Sequence, residues 1–348
     1  NDAAYAIALH IGKSQEEFLK MMNAKAKEIG MKERNPLIDV LKGFTIILVV
    51  MGHASQWFSG DDRTNPFYVT IYAFHMPLFM FLSGYVNFNI RGELNLSKRF
   101  QVLVIPFFVW FLISAIYHKY IFDEAKVWGN LCNLIYEPTR GMWFLWLLFW
   151  ECALLYLALK INKYREIWVM IGLWSILVFL HRATGAQPIF YGLPQLCWYF
   201  IYFSLGYATH KYKSQALKIL RPIGWAGFVV FPLLLFFSVD KSHYILDSLR
   251  LYALALTGIA ASYVLWEGIC RSENKVTQCL KYLGSISLEI YVTHYYMRFL
   301  VAYIKEYIGD NFYLNVVIFT VLAVIACDII QRLIQRVKWL RRILYGRF

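Results

Sequence analysis

Ten stretches of this sequence, at residues 40–60, 66–88, 100–118, 141–160, 166–182, 190–209, 222–239, 249–268, 283–304 and 312–331, each carry roughly 20 mainly apolar residues, the length a helix needs to cross a bilayer. In hydrocarbon every backbone polar group must bond within the protein, so runs of this length fold as helices. Composition agrees. Of the 348 residues 59% are hydrophobic and 16% charged, against about 45–50% and about 25% in soluble domains. Such a chain excludes a soluble enzyme, a nucleic-acid binder and a disulfide scaffold. The expected fold class is all-α, a polytopic membrane protein of about ten transmembrane helices.

The net charge of +13 falls in short clusters between the apolar runs, not on one face of a domain. Segments 31–42, 89–99, 160–165, 210–221, 269–281 and 332–348 carry most of the 35 Lys and Arg residues. The alternate connections mix fewer cations with Asp61, Asp62, Asp123, Glu124, Asp240 and Asp310. The positive-inside rule then predicts both termini in the cytoplasm.

Residues 1–30 read as a cytoplasmic amphipathic helix. Ser14 and Glu17 make a capping box, Leu19, Met22, Ala26 and Ile29 follow at helical spacing, and Gly30 is a stop. Met31-Lys32-Glu33-Arg34 would also serve as a start, so this segment stands as added or accessory sequence. Residues 31–335 are expected to form the membrane domain and 336–348 a basic cytoplasmic tail. The six cysteines show neither a CxxC pair nor a ligand spacing with histidine, so no metal site is expected.

Ionisable residues inside the runs cost about 2.5–3.5 kcal/mol each at a helix centre and so carry functional weight. Lys42 and His53 are 11 residues apart, which returns to within about 20° of the same face and separates them by about 16 Å. Asp39 lies on the edge of that stripe. The competing reading has Lys42 snorkelling to the interface and His53 bonding a neighbouring carbonyl. His75 precedes Pro77, which should break the helix beside it; His75 then either lines a cavity or repairs the break. Ser287, Tyr291, His294 and Arg298 form a further stripe from which Glu289 points away, and Glu151 is the lone acid of the fourth run.

These residues carry a family resemblance. Asn35-Pro36-Leu37-Ile38-Asp39-Val40-Leu41-Lys42-Gly43, continuing to Gly52-His53, is similar to the first-helix signature of the acyltransferase-3 family, a basic residue, ten positions, then His. Phe74-His75-Met76-Pro77-Leu78-Phe79-Met80-Phe81-Leu82-Ser83-Gly84 resembles its second signature. Weaker echoes are Lys98-Arg99 before Pro106, Trp143-Phe144-Leu145, and Leu283-Gly284-Ser285-Ile286-Ser287-Leu288-Glu289-Ile290-Tyr291 leading to His294. The pattern is most similar to the fucose-4-O-acetylase-like and exopolysaccharide O-acetyltransferase branch. It departs from other branches in lacking a paired-Arg motif before the third helix, where Lys98 and Arg99 stand instead.

The resemblance implies a ten-helix enzyme of a bacterial inner membrane that moves an acyl group, commonly acetyl from acetyl-CoA, to a hydroxyl of a lipid-linked or cell-surface glycan. Such transfer needs a general base near neutral pKa and an oxyanion donor. His53 is the expected base, and His75 or an Asn or Tyr side chain the donor. Asp39, Lys42, Lys98 and Arg99 would hold the polyanionic CoA, and Glu151, Tyr291, His294 and Arg298 the sugar. With no nucleophilic Ser or Cys beside either histidine, direct transfer is favoured over an acyl-Ser, and an acyl-His intermediate stays open. The rival class is a transporter or flippase of a glycan or small anion, in which midplane His, Glu and Arg serve coupling. A scaffold whose histidines only pack is the third reading.

Overall fold

The computed structural model describes residues 35–60, 64–122, 142–184, 192–237, 243–272 and 274–347; the expected helix over residues 1–30 lies outside them. Among the described residues the regular elements are all helical. Among the described residues eight helical spans, two of them built from successive shorter pieces, are long and apolar enough to cross a membrane, and they match eight of the ten expected runs. The molecule is thus an all-α, multi-pass membrane protein.

The first run forms α1 (Pro36–Phe58). The second is two helices, α2 (Pro66–Tyr72) and α3 (His75–Asn87), with Ala73 and Phe74 between them. Asn65 caps α2 through its side chain, which accepts from the Phe67 N–H at 2.9 Å, and Pro66 occupies the first turn where its missing N–H is no loss. Phe74 sits at φ −142°, ψ −17°, off the helical region, three residues before Pro77. This is the break expected from Pro77.

The third run is a continuous winding of α4 (Leu96–Arg99), a π-helical turn (Phe100–Val104) and α5 (Ile105–Phe122). Then follow α6 (Trp143–Asn162), α7 (Glu166–Ala183), α8 (Leu193–Lys211), α9 (Lys213–Phe236) and α10 (Tyr244–Ile269). The seventh run starts nine residues before its expected boundary at 222, and Pro222 lies inside the helix.

Two runs differ from the rest. The sixth, α8, is a helix of 19 residues but falls outside the apolar set, since Ser204, Thr209, His210 and Lys211 dilute its second half. The ninth, expected as one helix over 283–304, is broken into α11 (Lys275–Ser285), α12 (Ser287–Thr293), a 3₁₀ segment (His294–Phe299) and α13 (Leu300–Ile308). Ile286 (φ −115°, ψ 19°) separates the first two pieces. Broken helices at membrane depth survive where protein or a cavity surrounds them. The chain closes with α14 (Phe312–Gln335) and α15 (Lys338–Tyr345), so the expected basic tail is in part a helix.

Small residues set which helices touch. A Cβ on Gly84 would lie 1.9 Å from the Phe203 carbonyl oxygen, and one on Gly206 would lie 1.8 Å from that of Phe81, so α3 and α8 cross backbone against backbone. In lipid, where apolar burial no longer drives helices together, such close approach supplies the packing. Gly43 and Gly284 do the same for α1 and α11: their Cβ positions fall 2.0 Å from the Leu280 oxygen and 1.9 Å from the Asp39 oxygen. α1 and α3 hold the buried centre, with Val40, Leu41, Ile46 and Val50 beside Leu78, Met80 and Leu82. Trp168, Phe179, Leu233 and Phe236 on α7 and α9 face outward, as lipid-facing side chains do.

Candidate active site

His53 and His294 come together. The end of α1 meets the 3₁₀ segment so that the two imidazoles lie 5.2 Å apart, centroid to centroid, with 38° between planes. Trp57, one turn beyond His53 on the same face, stacks on it at 5.8 Å, and Tyr295 meets both rings edge-on at 5.7 and 5.3 Å. His53 also lies within electrostatic range of His75.

Hydrogen bonds set the tautomers of two of these rings. His294 Nδ1 lies 2.9 Å from the Ile290 carbonyl, and His75 Nδ1 lies 2.7 Å from that of Ile71. A carbonyl only accepts, so Nδ1 carries the proton and Nε2 the lone pair in each neutral ring. For His294 that Nε2 is buried without a hydrogen-bond partner among the described residues, and so is His53 Nδ1. His294 itself is 2% exposed. A buried polar atom left open in this way costs stability unless something binds there.

The break at Ala73–Phe74 explains how His75 gets its bond. Leaving the helical path frees Ile71 O from a regular ladder; the Phe74 N–H donates to it at 3.3 Å and the His75 ring adds a second bond. His75 thus closes the break through its Nδ1, at the Ile71 carbonyl and not at the Ala73 carbonyl that Pro77 leaves without its helical donor. An aromatic series leads to it: Tyr68 stacks on Tyr72 at 3.9 Å, and Tyr72 meets His75 edge-on at 4.8 Å. Gly52, beside His53, lets Tyr72 close on α1, since a Cβ there would lie 3.0 Å from the Tyr72 ring.

Tyr291 ties this site to its neighbours. Its hydroxyl accepts from the Phe144 N–H at 3.3 Å, and Phe144 packs on Tyr291 and Phe79, each at 5.3 Å. Arg298 does not join the group. From His294 four residues of 3₁₀ helix turn it about 120° away, where an α-helix would turn it about 40°, and its side chain is exposed. Glu151 is fully buried on α6, seven residues (about 10 Å) along the helix from Phe144, near Tyr199. Neither of its carboxylate oxygens has a hydrogen-bond partner among the described residues.

The expected donor-binding residues lie at the other end of α1. Asp39 and Lys42 are partly buried, Arg99 likewise, and Lys98 is exposed. Contacts connect them: α11 packs on Asp39 through Gly284, Arg347 donates to the Ser285 carbonyl at 3.0 Å, and Gly346 abuts Val102. Beside this path Asn95, Ser97, Lys98, Gln101, Val102 and Gly346 line a surface cavity.

Trp57, Tyr295 and Arg347 were not among the expected site residues. Trp57 had a signal in its i+4 spacing from His53; Tyr295 is brought in only by the 3₁₀ winding.

Comparison with known proteins gives the chain's relatives. Over 210 residues the chain is 28% identical to the nodulation protein NolL of Mesorhizobium japonicum, covering 58% of this chain and 52% of that protein. Over 202 residues it is 28% identical to the nodulation protein NolL of Sinorhizobium fredii, covering 55% and 53%. The chain thus spans about half the length of the curated relatives it matches. No solved structure matches it. Residues 1–36 match a family described as D-alanyl-D-alanine carboxypeptidase, a stretch that holds none of the site residues named above. The acyltransferase domain family matches residues 35–332, a range that contains the paired histidines, both signature helices and every expected site residue, and the chain belongs to that acyltransferase-3 family.

Proposed function

We propose that this protein is a membrane O-acyltransferase that moves an acyl group, acetyl in the first instance, from cytoplasmic acyl-CoA to a hydroxyl of a lipid-linked or cell-surface glycan, at a bacterial inner membrane. The observation that carries the reading is the His53–His294 pair, with His294 buried and an open lone pair on its Nε2, in a chain of the acyltransferase-3 family. Acyl transfer to an alcohol needs one group to take the hydroxyl proton as the oxygen attacks the thioester carbonyl. Sequence reasoning favoured His53. The tautomer argument makes His294 Nε2 an equal candidate, with His53 facing it across 5.2 Å to receive or return the proton.

His75 has a changed part in this scheme. With Nδ1 spent on Ile71, a neutral His75 presents a lone pair, so it donates to an oxyanion only when doubly protonated. Tyr295, whose ring packs against His53, would suit the donor role better through its hydroxyl. Asp39, Lys42, Lys98 and Arg99 would hold the CoA phosphates at the opposite end of α1, and the pantetheine arm would run the roughly 16 Å from Lys42 to His53. Tyr291 and Glu151 would bind the sugar and Arg298 would sit at its exposed edge. An acyl-Ser or acyl-Cys step is disfavoured, since no Ser or Cys stands in the histidine cluster among the described contacts; direct transfer and transfer through an acyl-His both fit the cluster.

The test is a thermal-shift measurement on detergent-purified protein with acetyl-CoA, succinyl-CoA and CoA. A ligand that binds only the folded state adds about 2.7 kcal/mol at a hundredfold excess over its Kd. A shift with acetyl-CoA that Lys42→Ala weakens and His53→Ala keeps is the expected result. Folded protein that responds to none of the three overturns the acyl-CoA reading and returns the transporter to first place.

A further inference from the structure

The last residues of the chain lie beyond the stretch that matches the family, yet they close on the segment that carries His294. α15 ends at Gly346 in the left-handed region (φ 60°), and a Cβ there would meet Val102 Cα at 2.4 Å, so the chain turns here with its backbone against the π-helical turn. The Leu344 carbonyl accepts from Trp110 Nε1 at 2.6 Å, and Tyr345 is completely buried. Arg347 then donates to the Ser285 carbonyl at 3.0 Å and forms an ion pair with Glu289.

Glu289 is 0% exposed and sits in α12, five residues before His294. α12 has only seven residues, with the non-helical Ile286 before it and a switch to 3₁₀ winding at His294 directly after Thr293. So short a helix is not held by its own ladder; its place depends on side-chain ties. Among the described contacts two such ties hold it, Tyr291 with the Phe144 N–H and Glu289 with Arg347. A buried carboxylate that loses its cation must move toward water or take a proton, and either outcome disturbs the helix that carries it.

We infer that Arg347 is a positioning residue: by neutralising Glu289 inside the bundle it fixes α12 and the 3₁₀ segment so that His294 faces His53. This rests on the reading of His294 as part of the acyl-transfer site, and the test separates the two. Wild type, Arg347→Ala, Glu289→Gln and the double variant are purified. Each is then measured for release of CoA from acetyl-CoA with lipid-linked glycan extracted from bacterial membranes supplied as the hydroxyl acceptor, and for hydrogen–deuterium exchange of the 286–299 backbone. Arg347→Ala should lower kcat by about tenfold or more, with KM for acetyl-CoA nearly unchanged, and raise exchange across 286–299. Glu289→Gln in the same chain removes the stranded charge and should restore both. If Arg347→Ala fails to fold, recovery of folded protein in the double variant supports the inference and its absence overturns it. Unchanged exchange and kcat in Arg347→Ala, or a double variant no better than Arg347→Ala, also overturns it. A wild-type protein that releases no CoA would sink the transfer reading alone, because the exchange measurement still decides the role of Arg347.

Discussion

A histidine whose Nδ1–H is given to a main-chain carbonyl can be imitated by asparagine, whose amide nitrogen occupies a similar place but whose side chain ends short of Nε2. His294→Asn therefore separates two jobs. If Nε2 takes the hydroxyl proton, the variant keeps the bond to Ile290 and the fold but loses about 10²–10⁴ in kcat, as His294→Ala does. Activity near wild type in His294→Asn, measured as acetyl transfer by purified protein of unchanged melting temperature, would reduce His294 to a structural tie. His53→Ala should fall as far, and the double variant should fall little further, because residues acting as a unit do not add. Asp39, Lys42 and His53 do lie on one uninterrupted helix, α1, which is the condition the 11-residue arithmetic needs. Arg298 leaves the stripe of Ser287, Tyr291 and His294 for the opposite reason. The expected stripe assumed 3.6 residues per turn through His294, and the chain winds there at about three.

Element packing in this bundle is decided by glycines whose missing side chains are filled by a neighbour's backbone, and backbone cannot move aside as a side-chain tip can. Gly284→Ala, with its Cβ 1.9 Å from the Asp39 oxygen, should cost about 1–3 kcal/mol or more and lower the detergent melting temperature. Gly172→Ala is the internal contrast. Nothing lies within 4 Å of its Cβ position inside α7, so replacing the helical glycine should stabilise by about 0.5–1 kcal/mol. Equal effects of the two would refute the close-packing account. Pro77→Ala restores an N–H for the Ala73 carbonyl and favours a continuous α2–α3 helix. His75 should then leave Ile71, with reduced transfer and an intact fold. That break was legible, since Pro77 states it locally. The break at Ile286 has only the Gly284-Ser285 pair just before it as a local mark, and the change at His294 has no proline or glycine near it; both are fixed by what α12 packs against, namely Phe144 and Arg347.

At the scale of the whole molecule the distribution of charge makes a claim about sidedness that the helices alone do not. Lys32, Arg34 and Lys42, the Lys98–Arg99 pair, Lys211–Lys213, Lys275–Lys281 and the Arg-rich last helix belong to segments at one end of the alternating spans, and the positive-inside rule assigns that end to the cytoplasm. The proposed CoA-binding residues share it, so sidedness and donor access stand or fall together. Cys279 provides the reporter. It is a free, exposed thiol on α11, at the same end as Asp39 through the Gly284 contact, while Cys152, Cys197 and Cys327 are buried. In a Cys132→Ser, Cys270→Ser background, a membrane-impermeant maleimide should leave Cys279 unlabelled in intact spheroplasts and label it after permeabilisation. Labelling in intact cells would put Lys42 and Arg99 on the outer face, away from the cytoplasmic CoA pool. The histidine pair would then need a donor other than acyl-CoA, whatever its own geometry allows.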